Sequence, residues 1–129
     1  MISCRGESLM ELIISSKQLL ELMDDCKARF EGRNQKPEKT ESLFYNEVRP
    51  MYESVMNLAK NWKPLAEAWL VENKPKYIHK AQIESTIENI EQVVLQSFYK
   101  DINNQRFHNL HHSVEYIITS ILVAIKERD

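Results

Sequence analysis

The sequence predicts an all-α protein, an antiparallel up-and-down four-helix bundle with a proline-bent second helix. Four stretches carry apolar residues at alternating spacings of three and four, the period of an amphipathic helix. The 129 residues include only 2 Gly and 4 Pro, which leaves little room for the many turns of a β-sandwich. Two of the three connections are short, and short connections make neighbouring helices antiparallel. Residues 1–129 are therefore expected to form a single domain.

The first helix is predicted to begin at Ser8, after a loose tail at residues 1–7. Ser8 and Glu11 match a capping box, in which the two side chains satisfy backbone N–H groups of the first turn. Gly32 is expected to end the helix, since glycine is favoured just past a helix end. The apolar stripe between these signals contains Leu9, Leu12, Ser16, Leu19, Met23, Cys26 and Phe30. Residues 32–41 are polar and are expected to form a flexible loop.

The second helix is predicted over residues 42–73, where the apolar repeat keeps its phase across Pro50 and Pro64. Proline lacks an N–H and clashes with the carbonyl four residues back, so each proline is expected to bend or interrupt the helix. One long bent helix is preferred to three short ones. A separate first turn before Pro50 is the alternative.

Two further helices complete the bundle. Pro75 is expected to stop the second helix, and His79 is a candidate cap of the third. An Asn or Asp within residues 101–105 can cap the fourth. The stripe of the third helix contains Ile83, Ile87, Ile90, Val94 and Ser97, and that of the fourth contains Phe107, Leu110, Val114, Ile117 and Ile121. Ile118, Leu122 and Ile125 widen the fourth stripe.

Composition excludes several classes of function. The net charge is -2, without the basic surplus that neutralises phosphates in nucleic-acid binders. No run approaches the ~20 apolar residues of a membrane span, and no signal peptide is evident. Cys4 and Cys26 cannot pair along one helix, because they lie on the order of 30 Å apart at ~1.5 Å per residue. Two unpaired thiols favour a cytoplasmic location.

Several short runs carry a resemblance to a known family. These are the runs 61–69, 74–79, 82–85, 88–92, 106–107 and 113–116, and the most specific is Lys74-Pro-Lys-Tyr-Ile-His79 followed by Gln82-Ile-Glu. With them, the sequence resembles the YppE-like family, small cytosolic proteins of Gram-positive bacteria grouped as a domain of unknown function. The resemblance covers most of residues 8–127. It implies the same four-helical bundle, and it implies no activity, ligand or catalytic residue.

The main candidate metal ligands are on the last helix, whereas Glu84, Glu88 and Glu91 of the third helix are expected to form a solvated flank. His108 and His112 are four residues apart and Glu115 lies three further on, so the three share one side of the helix and could chelate zinc or nickel. That side faces away from the apolar stripe, whereas His111 lies nearer the edge of the core. A structural or solvated role is therefore favoured. Neither Glu-x-x-His nor His-Glu-x-x-His occurs, which argues against a di-iron or zincin centre.

The sequence therefore predicts a non-enzymatic protein-interaction module, with no catalytic residue, cofactor or bound metal. Ile118, Leu122 and Leu95 are candidates for a self-association or partner-protein face. One alternative is a metal-binding bundle protein that uses the histidines of the last helix. Another is a small-molecule carrier with a pocket near Trp62 and Trp69, although aromatic residues at helical spacing usually fill a core. Neither nucleic acid nor a membrane is an expected partner.

Overall fold

Four helices make up the structure, a computed structural model that describes residues 8–128 with their side chains. Helix α1 spans Ile2–Gly32, α3 spans Lys80–Tyr99 and α4 spans Asn104–Glu127. Helix α2 is composite: a turn at Glu41–Leu43, a π-helical turn at Phe44–Val48 and the α-helical Arg49–Asn73. No strand occurs among the described residues. The predicted all-α bundle is confirmed. Residues 2–7, which were expected to form a loose tail, belong to helix α1, and only their backbone is described.

The helices alternate in direction along the chain. The ring of Phe30, near the end of α1, stacks on that of Phe107 in the first turn of α4. At the opposite end of the bundle, Arg128 follows α4 and its Nη2 lies 3.5 Å from the carbonyl oxygen of Asn73, the last residue of α2. Helices α1 and α3 each contact all three others. Helices α2 and α4 therefore occupy opposite corners, and the core is closed by α1 and α3 between them.

Helix α2 runs without a break past both prolines. Pro50 removes the N–H that would bond the carbonyl of Asn46 in α-helical register. The turn before it is π-helical, and the N–H of Arg49 donates to the carbonyl of Phe44, five residues back. This wider turn accommodates the proline without ending the helix, a common use of a π turn. Pro64 lies inside Arg49–Asn73. The prediction of one long helix thus agrees with the observed continuity.

Helix boundaries follow local capping chemistry. The hydroxyl of Thr40 accepts from the N–H of Leu43 at 3.0 Å and begins α2. His79 is the N-cap of α3, and its N–H donates to Oε1 of Gln82 at 2.7 Å. The side chain of Asn103 caps α4, as the sequence predicts. The predicted cap at Ser8 is wrong, because α1 spans Ile2–Gly32 and a capping-box pattern alone does not stop a helix from extending past it.

The core consists of the four predicted stripes. Its largest fully buried side chain is Trp62, whose Nε1–H donates to the hydroxyl of Ser16 at 2.9 Å. Ile118 is fully buried, and Leu95 and Leu122 pack against the core. The suggestion that Ile118 belongs to a surplus face is therefore wrong, whereas Leu95 and Leu122 are only partly buried. Helix α4 contacts both α1 and α3. Its wide apolar stripe is therefore covered within a single chain.

No helix in the described part of the chain combines the length and the apolar character that crossing a bilayer requires.

The loop between α1 and α2 is tied to the connection before α4 by charge. Nζ of Lys39 lies 2.8 Å from Oδ2 of Asp101, and Nζ of Lys36 lies 3.5 Å from Oδ1. The hydrogen bond from Lys39 is the main cause that holds the pKa of Asp101 below its ordinary value. The ionised carboxylate is thus favoured in the folded state.

Asp101→Asn is expected to lower the free energy of unfolding at pH 7 by at most about 1 kcal/mol, because both lysines are largely exposed. A carboxylate whose pKa is lower in the folded state stabilises the fold above its unfolded pKa of about 3.9. That stabilisation is lost as the pH falls through the lower, folded pKa. Urea unfolding of both proteins from pH 7 to pH 2 should show the gap closing below about pH 4. Glu38→Gln in the same loop is the control, and a gap that persists in acid would contradict the assignment.

Candidate functional site

The three predicted ligands on α4 do not converge. Nδ1 of His108 lies 2.8 Å from the carbonyl oxygen of Asn104, and its Nε2 lies 3.5 Å from Oε2 of Glu31 on α1. The His108 ring also meets the rings of Phe30 and Phe107 edge-on. His108 is therefore held by its own helix turn and by α1, away from Glu115.

His112 is exposed and lies beside Tyr116, with 6.4 Å between the ring centroids. The nearby hydroxyls of Ser113 and Ser120 donate to the carbonyls of Asn109 and Tyr116, one helical turn back. Hydroxyls engaged in this way are not activated by an imidazole base, as nucleophilic catalysis would require. This part of α4 offers binding groups rather than a nucleophile.

A different group of ligands converges between α1 and α4. Asp24, His111 and Glu115 each place one ligand atom within 4.8 Å of the others. Nε2 of His111 lies 3.5 Å from Oδ1 of Asp24, and the side chains are 6% and 69% exposed respectively. The sequence placed His111 near the edge of the core, which is correct. It gave no indication of Asp24, because that residue belongs to α1 and reaches the group only through tertiary packing.

The carboxylates of α3 form no such group among the described residues. Glu84 and Glu88 are exposed. Glu91 accepts a hydrogen bond from the hydroxyl of Tyr52 on α2 at 2.5 Å, and this bond is the main cause that raises the pKa of Tyr52. The polar side of α3 is thus partly a solvated surface and partly a tie to α2.

Cys26 is part of a buried polar cluster between α1 and α3. Arg29 donates to the hydroxyl of Ser97 at 2.9 Å, and its guanidinium lies 4.2 Å from the centroid of the Phe98 ring. Burial is the main cause that raises the pKa of the Cys26 thiol, although Arg29 lowers it in part. The thiol is therefore protonated and acts as a small core residue, since reactivity requires the thiolate.

An open groove runs along α4. Its volume is about 820 Å³, and residues of the 74–79 connection form its second wall. Three of its lining side chains are exposed and large: Tyr77, Tyr116 and Val123 are 78%, 57% and 48% exposed. A smaller depression of about 440 Å³ between α3 and α4 shares His112 and Tyr116 with it. Neither feature is lined by Trp62 or Trp69.

The tryptophans proposed as a carrier pocket are core residues. Trp62 is fully buried and Trp69 is 7% exposed, with the guanidinium of Arg128 lying 5.5 Å from the Trp69 ring centroid. The tryptophans therefore stabilise the bundle.

Comparison with known proteins places the chain among bacterial relatives. A family model described as a bacterial domain of unknown function, DUF1798, matches residues 16–125. The chain belongs to this family. The uncharacterized protein YppE of Bacillus subtilis is 29% identical over 125 residues, which cover 96% of this chain and 97% of the relative. The resemblance to the YppE-like family that the sequence indicates is confirmed.

Solved structures agree with the fold. The crystal structure of YppE from Bacillus subtilis matches with a TM-score of 0.80 at 27% identity, over 92% of this chain and 94% of that one. Its solution structure matches with a TM-score of 0.77. A protein of unknown function from Listeria innocua matches with a TM-score of 0.81 at 21% identity, over 95% and 98% of the two chains. At that identity the likeness shows the fold alone.

Proposed function

We propose that the protein is a non-enzymatic interaction module, and that the outer face of α4 pairs with a second copy of the chain. The observation that carries this proposal is the exposed stripe that lines the groove. On α4 the stripe includes His112, Tyr116, Thr119, Ser120, Val123 and Glu127, and Glu115 and Ala124 line the groove beside them. These residues recur at helical spacing on the side opposite the core, so they form one continuous strip.

The stripe is self-complementary. In a symmetric pair of antiparallel helices, each residue faces its counterpart across a two-fold axis. With the axis between Thr119 and Ser120, Tyr116 of one copy faces Val123 of the other, and His112 faces Glu127. The centre then contains small side chains, which let two helices approach closely. The flanks are apolar, and the ends pair a histidine with a carboxylate.

The surrounding groove extends the contact. Tyr77, the most exposed large hydrophobic residue described, stands on the wall formed by the 74–79 connection. In the antiparallel pair its ring covers the α4 helix of the second copy and adds apolar area. Exposed aromatic residues beside a groove are enriched at protein interfaces. The interface remains small, so we expect dimerisation that depends on concentration.

We also propose that the protein acts in the cytoplasm. The free thiol of Cys26 is buried in the core with a raised pKa, and unpaired thiols suit a reducing compartment.

Sedimentation velocity over a range of concentrations tests the pairing. We expect the mass of the wild type to rise from one chain to two, and Val123→Glu to remain a single chain at every concentration, because each dimer would bury two unpaired carboxylates. Val71→Glu is the matched control, since Val71 is 74% exposed on α2 and lies outside the groove. It should dimerise like the wild type. A wild type that stays monomeric, or a dimer that survives both Val123→Glu and Tyr116→Ala, would overturn the proposal.

A further inference from the structure

We propose a binding site for a divalent transition-metal ion, with zinc as the best chemical match, formed by Asp24 of α1 with His111 and Glu115 of α4. The site lies between the first and last helices. It goes beyond the interaction role, because Asp24 and His111 lie outside the groove that the dimer would use, and only Glu115 lines that groove.

The ligand atoms are already close to the separations that a common ion requires. All three lie within 4.8 Å of one another, and Nε2 of His111 is 3.5 Å from Oδ1 of Asp24. Two ligands on a tetrahedral zinc, at metal–ligand distances of about 2.0–2.1 Å, lie roughly 3.4 Å apart. Asp24 is exposed and Glu115 is accessible to solvent. Ordinary side-chain rotation can therefore complete the arrangement without moving either helix.

The state of His111 is the second, independent observation that points to a ligand. The residue is only 4% exposed, and its Nε2 is buried without a hydrogen-bond partner. Buried polar atoms in folded proteins nearly always have a partner, because an unmet one costs free energy. Oδ1 of the Asp24 carboxylate lies 3.5 Å from that nitrogen, and this carboxylate can hold an ion against it. An ion bonded to Nε2 supplies the missing partner.

The donor set indicates the class of metal. Neutral imidazole is a ligand for zinc, cobalt, nickel and copper, and the two carboxylates add oxygen donors with a combined charge that balances a dication. His111 and Glu115 are four residues apart and so share one side of α4. Three protein ligands leave a fourth position for water. The solvent-accessible carboxylates provide the route of entry.

Metal titration of the chelator-treated full chain tests the site. We expect one zinc ion per chain by isothermal titration calorimetry, a rise in the melting temperature with zinc, and a cobalt(II) absorption band that zinc abolishes. Asp24→Asn and Glu115→Gln should each weaken binding by at least about tenfold, since loss of even an outer-shell partner of a metal ligand costs 10–100-fold. His111→Gln should abolish the cobalt band.

Controls separate the site from the other surface ligands. Asp25→Asn changes the neighbouring exposed carboxylate on α1 and should bind like the wild type. The double variant His108→Gln/His112→Gln should also retain stoichiometric binding. Melting temperatures in excess chelator show whether each variant folds normally, and Asp24→Asn at an exposed position should be unchanged there. Absence of stoichiometric binding would overturn the proposal. So would binding that survives Asp24→Asn, Glu115→Gln and His111→Gln but is lost in the double variant.

Discussion

Replacing Trp62 with alanine is expected to lower the free energy of unfolding by about 3–5 kcal/mol, the usual cost of emptying a buried aromatic site. The side chain is the largest of the fully buried ones, and it lies where α1 and α2 meet. A domain of this size is stable by only about 5–15 kcal/mol, so this loss is a large fraction of the total. Urea unfolding followed by far-UV circular dichroism measures the change. Lys60→Ala, at an exposed position on the same helix, should stay within about 0.5 kcal/mol.

Part of that cost comes from the hydrogen bond to Ser16. Ser16→Ala leaves the indole N–H buried and unpaired, which should cost about 1–3 kcal/mol although only one oxygen atom is removed. Trp62→Phe removes the donor as well. The double variant Ser16→Ala/Trp62→Phe should therefore be less destabilised than the sum of the two single variants, because no donor is left without a partner. Additive effects, or a neutral Ser16→Ala, would show that this bond contributes little.

The helical periodicity was sufficient to predict the four helices and the core, because residues that are buried on one side of a helix recur every three or four positions. Trp62 and Ile121 were placed in the core this way, and both are fully buried. The same reasoning failed for Ile118. The sequence shows that the α4 stripe is wide, but only the packing shows that α1 and α3 together cover that width. The π turn at Phe44–Val48 was likewise not predicted, since proline chemistry demands an adjustment without specifying its form.

The candidate metal site required tertiary information. The spacing of His111 and Glu115 places them on one side of α4. The spacing of His108 and His112 does the same, so the sequence alone does not distinguish the two pairs. What distinguishes them is Asp24, 87 residues away from His111 in the chain, and the register of α1 on α4 that brings them together. The apolar spacing of each helix does not specify how far the two helices are shifted along one another. For the same reason the sequence favoured His108 and His112, which share one side of α4 but contact different partners, Glu31 and Tyr116 respectively.

Replacing Phe107 with alanine, at one end of the core, is expected to lower the free energy of unfolding by about 3–5 kcal/mol. Its ring is fully buried and stacks on Phe30, with 4.0 Å between the centroids and an angle of 22° between the planes. Nζ of Lys100, in a left-handed turn at the end of α3, lies 4.5 Å from the Phe30 centroid and donates to the Phe30 carbonyl. The Phe30 ring therefore connects the end of α1 with the start of α4 and the end of α3.

Size and ring stacking can be separated in this cluster. Phe107→Leu keeps most of the volume and should cost less than Phe107→Ala, with about 0.5–1.5 kcal/mol due to the lost ring pair. In Phe107→Ala, amide hydrogen exchange should become faster around Asn103. The reason is that the first turn of α4 loses the packing that holds it against α1. Asn109→Ala, at an exposed position two residues along the same helix, should leave both the exchange and the stability near wild type. If Phe107→Ala costs less than about 1 kcal/mol, the cavity refills and the stack does not anchor the first turn of α4.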